Sequence, residues 1–81
     1  MLGMTIADLR AQHALTQAEL AERAGVSRPL ITMIERGSRV LTARIAMRLV
    51  AGLGVPPEER AGVVGELVIA HSAREGESHG A

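Results

Sequence analysis

The sequence predicts an all-α protein, a compact bundle of five helices, and three observations predict it. Apolar residues recur at the three- and four-residue spacings of a helix face. Thr5, Thr16, Ser27 and Thr42 each stand just before such a run, where a hydroxyl can cap an otherwise orphan helix N–H. Glycine or proline then interrupts the pattern at Gly25, Gly37 and Pro56-Pro57.

Met1 to Met4 form a loose start. Thr5 with Asp8 opens the first helix, and Ile6, Leu9 and His13 lie along one of its faces. Ala14-Leu15 bridges to the stretch that organises the chain, LTQAELAERAGVSRPLITMIERG over residues 15–37. Thr16 and Glu19 make a capping box, and Leu20, Ala21 and Ala24 form the apolar stripe of a second helix. Gly25 is the residue most easily placed at positive φ, so it ends that helix and turns the chain. Val26 then packs inward and Ser27 caps a third helix, with Ile31 and Ile34 inside it. Pro29 falls in the first turn, where its missing N–H costs nothing, and Gly37 closes the helix. Two helices, one glycine turn and a new cap are the plan of a helix-turn-helix.

Ser38 to Leu41 is a connector. Thr42 caps a fourth helix with Ile45, Leu49 and Leu53 on one face and Arg44 and Arg48 on another; Gly52 and Gly54 weaken its end. Pro57 with Glu58 and Glu59 opens a fifth, placing acids at the positive end of the helix dipole. That helix carries Ala61, Val63, Val64, Leu67, Val68, Ile69 and Ala70, more apolar surface than one narrow stripe facing a small core requires. Either it is buried on more than one side or its second face meets another chain. The domain is expected to span residues 1–71, with the fifth helix over about 57–71 and a flexible polar tail over 72–81.

Eighty-one residues allow one small domain, and without cysteine it has neither disulfide nor thiolate metal site as a staple. Oligomerisation is therefore expected. The absence of Phe, Tyr and Trp makes the core aliphatic and excludes the aromatic stacking platforms of single-strand readers. No segment approaches the roughly 18 apolar residues of a membrane span, and the N-terminus lacks a signal-peptide pattern. Net charge is zero at pH 7, yet the charges are segregated. Residues 1–27 carry two arginines against Asp8, Glu19 and Glu22; residues 28–48 carry five against Glu35 alone; residues 49–81 carry two against five glutamates. The positive balance thus sits on the third helix, the connector and the start of the fourth helix, the footprint of a polyanionic partner. His13, His71 and His79 are scattered, without ligand spacing, so no metal site is expected. No nucleophile–base arrangement points to an enzyme, and no cofactor is expected.

Leu15-Thr16-Gln17-Ala18-Glu19-Leu20-Ala21, Gly25-Val26-Ser27, Ile31-Thr32 and Ile34-Glu35-Arg36-Gly37 together resemble the Xre/Cro repressor-like helix-turn-helix family. Arg48-Leu49-Val50 and Leu53-Gly54-Val55 extend the resemblance, which runs from about Ile6 to Val55. It implies a lambda repressor-like bundle that binds double-stranded DNA, usually as a dimer on a palindromic operator, with the second motif helix in the major groove. By position, Arg28, Pro29, Thr32 and Met33 would face bases. Gln17, Ser27, Arg36, Ser38, Arg39 and Arg44 would meet phosphates, Gln17 through its amide and the free N–H groups of its helix start. Arg10 and Glu35 would form an internal ion pair. The chain departs from the family pattern at Pro29, Leu30 and Met33, where polar residues are common, and at Leu41, where the connector usually has proline. Arg28 would then select guanine while Thr32, Met33 and Leu30 touch thymine methyls.

Two functions fit these observations. The first is a cytoplasmic, nucleoid-associated transcriptional regulator of bacterial or phage type, a homodimeric repressor joined through Val64, Leu67 and Val68. The second is a protein-interaction module or antitoxin-type binder that grips a partner through Leu30 and Met33 or through the fifth helix. The arginine cluster from Arg28 to Arg48 separates them, because a pure protein binder has no need of it.

Overall fold

A computed structural model describes the backbone of residues 5–79 and the side chains of residues 5–72; the expected loose start over residues 1–4 lies outside it. Five helices succeed one another: α1 (Ile6–Gln12), α2 (Gln17–Ala24), α3 (Arg28–Arg36), α4 (Ala43–Gly52) and α5 (Pro57–His79). No strand occurs among the described residues.

The helix starts use the caps that the sequence predicts. Asp8 N–H donates to Thr5 Oγ1 at 3.2 Å while Thr5 N–H donates to Asp8 Oδ2 at 3.0 Å. Thr16 and Glu19 repeat the reciprocal pair at 3.0 and 2.8 Å. Ser27 and Thr42 each accept one backbone N–H, from Leu30 and Ile45, at 3.2 Å. The first four helices also end alike. A left-handed residue turns the chain at Ala14 (φ 54°), Gly25 (φ 69°), Gly37 (φ 79°) and Gly54 (φ 84°). The next N–H reaches back five residues, Leu15 to Arg10, Val26 to Ala21, Ser38 to Met33 and Val55 to Val50, at 2.9–3.1 Å. This double turn satisfies carbonyls that a helix end would otherwise leave bare.

Helix α4 lies at the centre, packed on α2 and on α5. Leu20, Ile31, Ile34, Leu49, Val50 and Leu67 are the most deeply buried side chains, forming an aliphatic core. Ile45, expected inside with Leu49, is only half-buried at the core's edge; Ala46 and Val50 take the interior positions instead. Gly52 does more than weaken a helix end. A Cβ there would lie 2.9 Å from the backbone nitrogen of Ala24, so α2 and α4 touch where only glycine fits. His13, placed by its spacing with Ile6 and Leu9, is exposed beyond the end of α1, its Nδ1 2.9 Å from the Leu9 carbonyl.

Helix α5 corrects two expectations. Val64 and Leu67, assigned to a contact between chains, are 7% and 1% exposed and belong to the monomer's own core. Val68 is half-buried against the same core, as is Val63. The surplus of apolar residues is therefore consumed mostly inside, because α5 covers α4 and the loop before it. Among the described residues of α5, only Ile69, 73% exposed, remains as a large apolar side chain on its outer face. The helix also continues to His79, past the boundary near residue 71. Residues 72–79 contain no proline, and their one glycine, Gly76, costs a helix only about 1 kcal/mol. The last two residues of the expected tail lie outside the described ones. No helix among the described residues is long and apolar enough to cross a membrane.

Candidate nucleic-acid interface

Helix α3 buries Ile31 and Ile34 and turns its other side outward. There Gln17, Arg28, Pro29, Thr32, Met33 and Arg36 line an open depression of about 450 Å³. All four residues assigned to bases meet in it, with two of the six assigned to phosphate. Arg28, Pro29 and Arg36 are exposed, whereas Thr32 and Met33 are half-buried. Leu30 does not line it; that side chain is half-buried and packs on the core, so its suggested methyl contact gives way to packing.

The other phosphate candidates do not line the depression. Ser27 and Ser38 are exposed at the two ends of α3, but their hydroxyls are already engaged, Ser27 accepting from Leu30 N–H and Ser38 donating to the Met33 carbonyl at 3.2 Å. Arg39 in the connector and Arg44 at the start of α4 are exposed. Exposed arginines thus succeed one another from the start of α3 into α4, with only Glu35 among them.

Glu35 is turned inward. Arg10 Nε donates to its Oε2 at 2.9 Å and Arg10 Nη2 to its Oε1 at 3.1 Å, a two-pronged pair whose side chains are 23% and 10% exposed. The hydrogen bond to Glu35 raises the Arg10 pKa further above its ordinary value. Arg10 Nη1 also donates to the Leu15 carbonyl at 2.9 Å, pinning the α1–α2 turn. Gln17 joins the group: its Nε2 donates to Glu35 Oε1 at 2.9 Å and its Oε1 accepts from the Thr32 hydroxyl at 3.0 Å. The Thr32 hydroxyl also lies 3.2 Å from the Arg28 carbonyl, so its single proton is directed into the protein. Gln17, assigned to phosphate through its amide, therefore has that amide largely occupied. One amide N–H remains, together with the backbone N–H groups at the start of α2, where the helix dipole favours an anion. Glu19, at the same helix end, stays charged to lower pH than usual: the Thr16 N–H holds its carboxyl below the ordinary value, helped by the Thr16 hydroxyl.

One buried contact was not anticipated. His71 on α5 is 5% exposed, and its Nε2 donates to the Arg39 carbonyl at 2.6 Å. It latches the connector that presents Arg39. The signal lay in spacing, since His71 comes four residues after Leu67 and seven after Val64, the period of the buried face. Among the described residues, no three His, Asp or Glu side chains converge as metal ligands.

An outward helix held by a glycine turn, with arginines along it and an anion-favouring helix end beside it, defines a DNA-binding helix-turn-helix domain. The family model described as helix-turn-helix matches residues 6–60, more than half of the chain, and the chain belongs to that family, of the Xre/Cro type, whose members regulate transcription. No curated protein and no solved structure matches the chain significantly.

Proposed function

We propose that the protein is a homodimeric repressor that reads a palindromic operator by laying α3 in the major groove. The observation that carries this reading is the α3 depression, open to solvent and bounded by Arg28 and Arg36. Arg28, at the first position of α3, sits where a guanidinium can fork onto guanine O6 and N7. Arg36, Arg39 and Arg44, with the start of α2, engage phosphates on either side and set the register. The protein acts by binding, without catalysis or cofactor, in the cytoplasm.

A single recognition helix spans only a few base pairs, so two copies spaced one helical turn apart double the readout. Because Val64 and Leu67 serve the core, the dimer contact shifts to the outer face of α5, centred on Ile69 and edged by Val68. Gly62 and Gly65, both exposed, share that face and let a second helix approach closely. Of the residues through which a protein-binding alternative would act, Leu30 is half-buried against the core, while Met33 and the outer face of α5 stay accessible to either kind of partner.

The test is enrichment of duplexes from a random library, followed by anisotropy titrations of the winner at two salt concentrations. Arg28→Ala should weaken the winner by about 5- to 150-fold and relax the preference at one guanine. Arg39→Ala should weaken all duplexes alike and lower the salt slope by about 1. A library from which nothing is enriched would refute sequence-specific reading. Sedimentation of Ile69→Glu should show monomers, and a variant that stays dimeric would refute the assigned contact.

A further inference from the structure

We propose that the α3 depression recognises the 5-methyl group of a pyrimidine neighbouring a guanine, and accepts thymine or 5-methylcytosine alike. This deepens the DNA-reading function above and rests on it. The depression could read base edges with four polar side chains, those of Gln17, Arg28, Thr32 and Arg36. Two of them face the protein: the Gln17 amide is held by Glu35 and Thr32, and the Thr32 proton goes to Gln17 or the Arg28 carbonyl. The groups left toward the bases are the Arg28 guanidinium, one Gln17 amide N–H and the apolar surface of Pro29 and Met33, with the Arg36 guanidinium at the phosphates.

Guanidinium groups only donate, and the pair of acceptors that matches their fork in the major groove is guanine O6 and N7. No carboxylate lines the depression to accept from cytosine N4 or adenine N6, and the two neutral oxygens there, those of the Gln17 amide and the Thr32 hydroxyl, are turned to one another at 3.0 Å. The apolar floor instead matches the group that projects from C5 of thymine, and 5-methylcytosine carries the same methyl at the same place. Met33 is suited to cover it, being flexible and polarizable. A floor without a partner for the exocyclic group at C4 tests for the methyl and ignores which methylated base bears it. Withdrawing one methyl from water is worth about fourfold in affinity.

The experiment begins with the duplex enriched above. Each thymine is replaced singly by deoxyuridine, and a cytosine–guanine pair is installed at the most sensitive position with and without a 5-methyl group. Each comparison differs by one methyl. The expected result is about fourfold weaker binding for deoxyuridine at one or more positions per half-site, and about fourfold tighter binding when the installed cytosine is methylated. Met33→Gln should erase both differences while still binding the duplex, and Met33→Leu should keep them; circular dichroism verifies that both variants are folded. Deoxyuridine duplexes all within twofold of the parent would overturn methyl recognition and leave DNA reading intact. Methyl dependence that survives Met33→Gln would overturn the assigned floor. Failure to enrich any duplex would sink the DNA reading itself and this inference with it.

Discussion

Gly52→Ala isolates the close approach of α2 and α4. In an ordinary exposed helix position, replacing glycine by alanine gains about 1 kcal/mol. At residue 52 the new Cβ would stand 2.9 Å from Ala24 N, and 3.1 Å from both Ala24 Cα and Ala24 Cβ. Two of these are backbone atoms, which no rotamer change can move. Prising α2 from α4 by a few tenths of an ångström in a packed core costs about 1–3 kcal/mol. The net expectation is a loss of about 1 kcal/mol, against a gain of about 1 kcal/mol for Gly62→Ala, whose Cβ meets nothing within 4 Å. The two substitutions are chemically identical and should differ by about 2 kcal/mol in opposite directions. Urea unfolding monitored by circular dichroism at the helix band is the assay, since the chain has no Trp or Tyr to report by fluorescence. Both changes belong in the Ile69→Glu background, so that association does not enter the comparison. A Gly52→Ala variant as stable as its parent, or stabilised like Gly62→Ala, would refute the tight crossing.

Three further outcomes are expected from the contacts. Arg10→Met removes three hydrogen bonds and leaves Glu35 partly buried with Gln17, so it should cost about 2 kcal/mol in urea unfolding, between exposed and buried pairs; a loss under about 0.5 kcal/mol, on the order of an exposed pair, would contradict the burial. His71→Leu keeps the apolar packing but frees the Arg39 carbonyl, and amide exchange across the connector should accelerate while α2 is unaffected. Glu19 has a lowered pKa in the fold, so its contribution is complete above the unfolded carboxylate value and is lost as pH falls through the folded one. The part of the stability that Glu19 supplies should thus be constant near neutrality and fade on the acid side, and Glu19→Gln should make the acid limb shallower when the urea midpoint is plotted against pH.

The order and type of the helices were legible because their ends are local chemistry. Thr5 with Asp8, and Thr16 with Glu19, announce reciprocal caps that need no tertiary information. The left-handed turn at Ala14 announced nothing, since alanine gives no conformational signal; it is held by the Leu15 N–H and by Arg10 from both sides of the turn. Periodicity located the apolar face of α5 but not its cover. Val64 and Leu67 could equally face a core or a partner, and only the placement of α4 decides that they face the core. The Arg10–Glu35 pair was implied by the family resemblance, whereas the involvement of Gln17 was not, because a polar side chain at a helix start reads the same whether it turns toward solvent or toward a carboxylate. Gly52 read as a terminator for a similar reason: contact between two backbones leaves no mark on either segment alone.

The side-chain chain Arg10–Glu35–Gln17–Thr32 has a consequence for the thermodynamics of association. It ties the first helix, the start of the second and the middle of the third into a single rigid piece before any duplex arrives. Docking then involves no folding of the reading head, and little conformational entropy is surrendered at that step. The heat-capacity change of binding should therefore match the modest apolar area at the groove, without the excess that marks a segment ordering on its target. The reading head should therefore be as ordered in the free protein as in the complex.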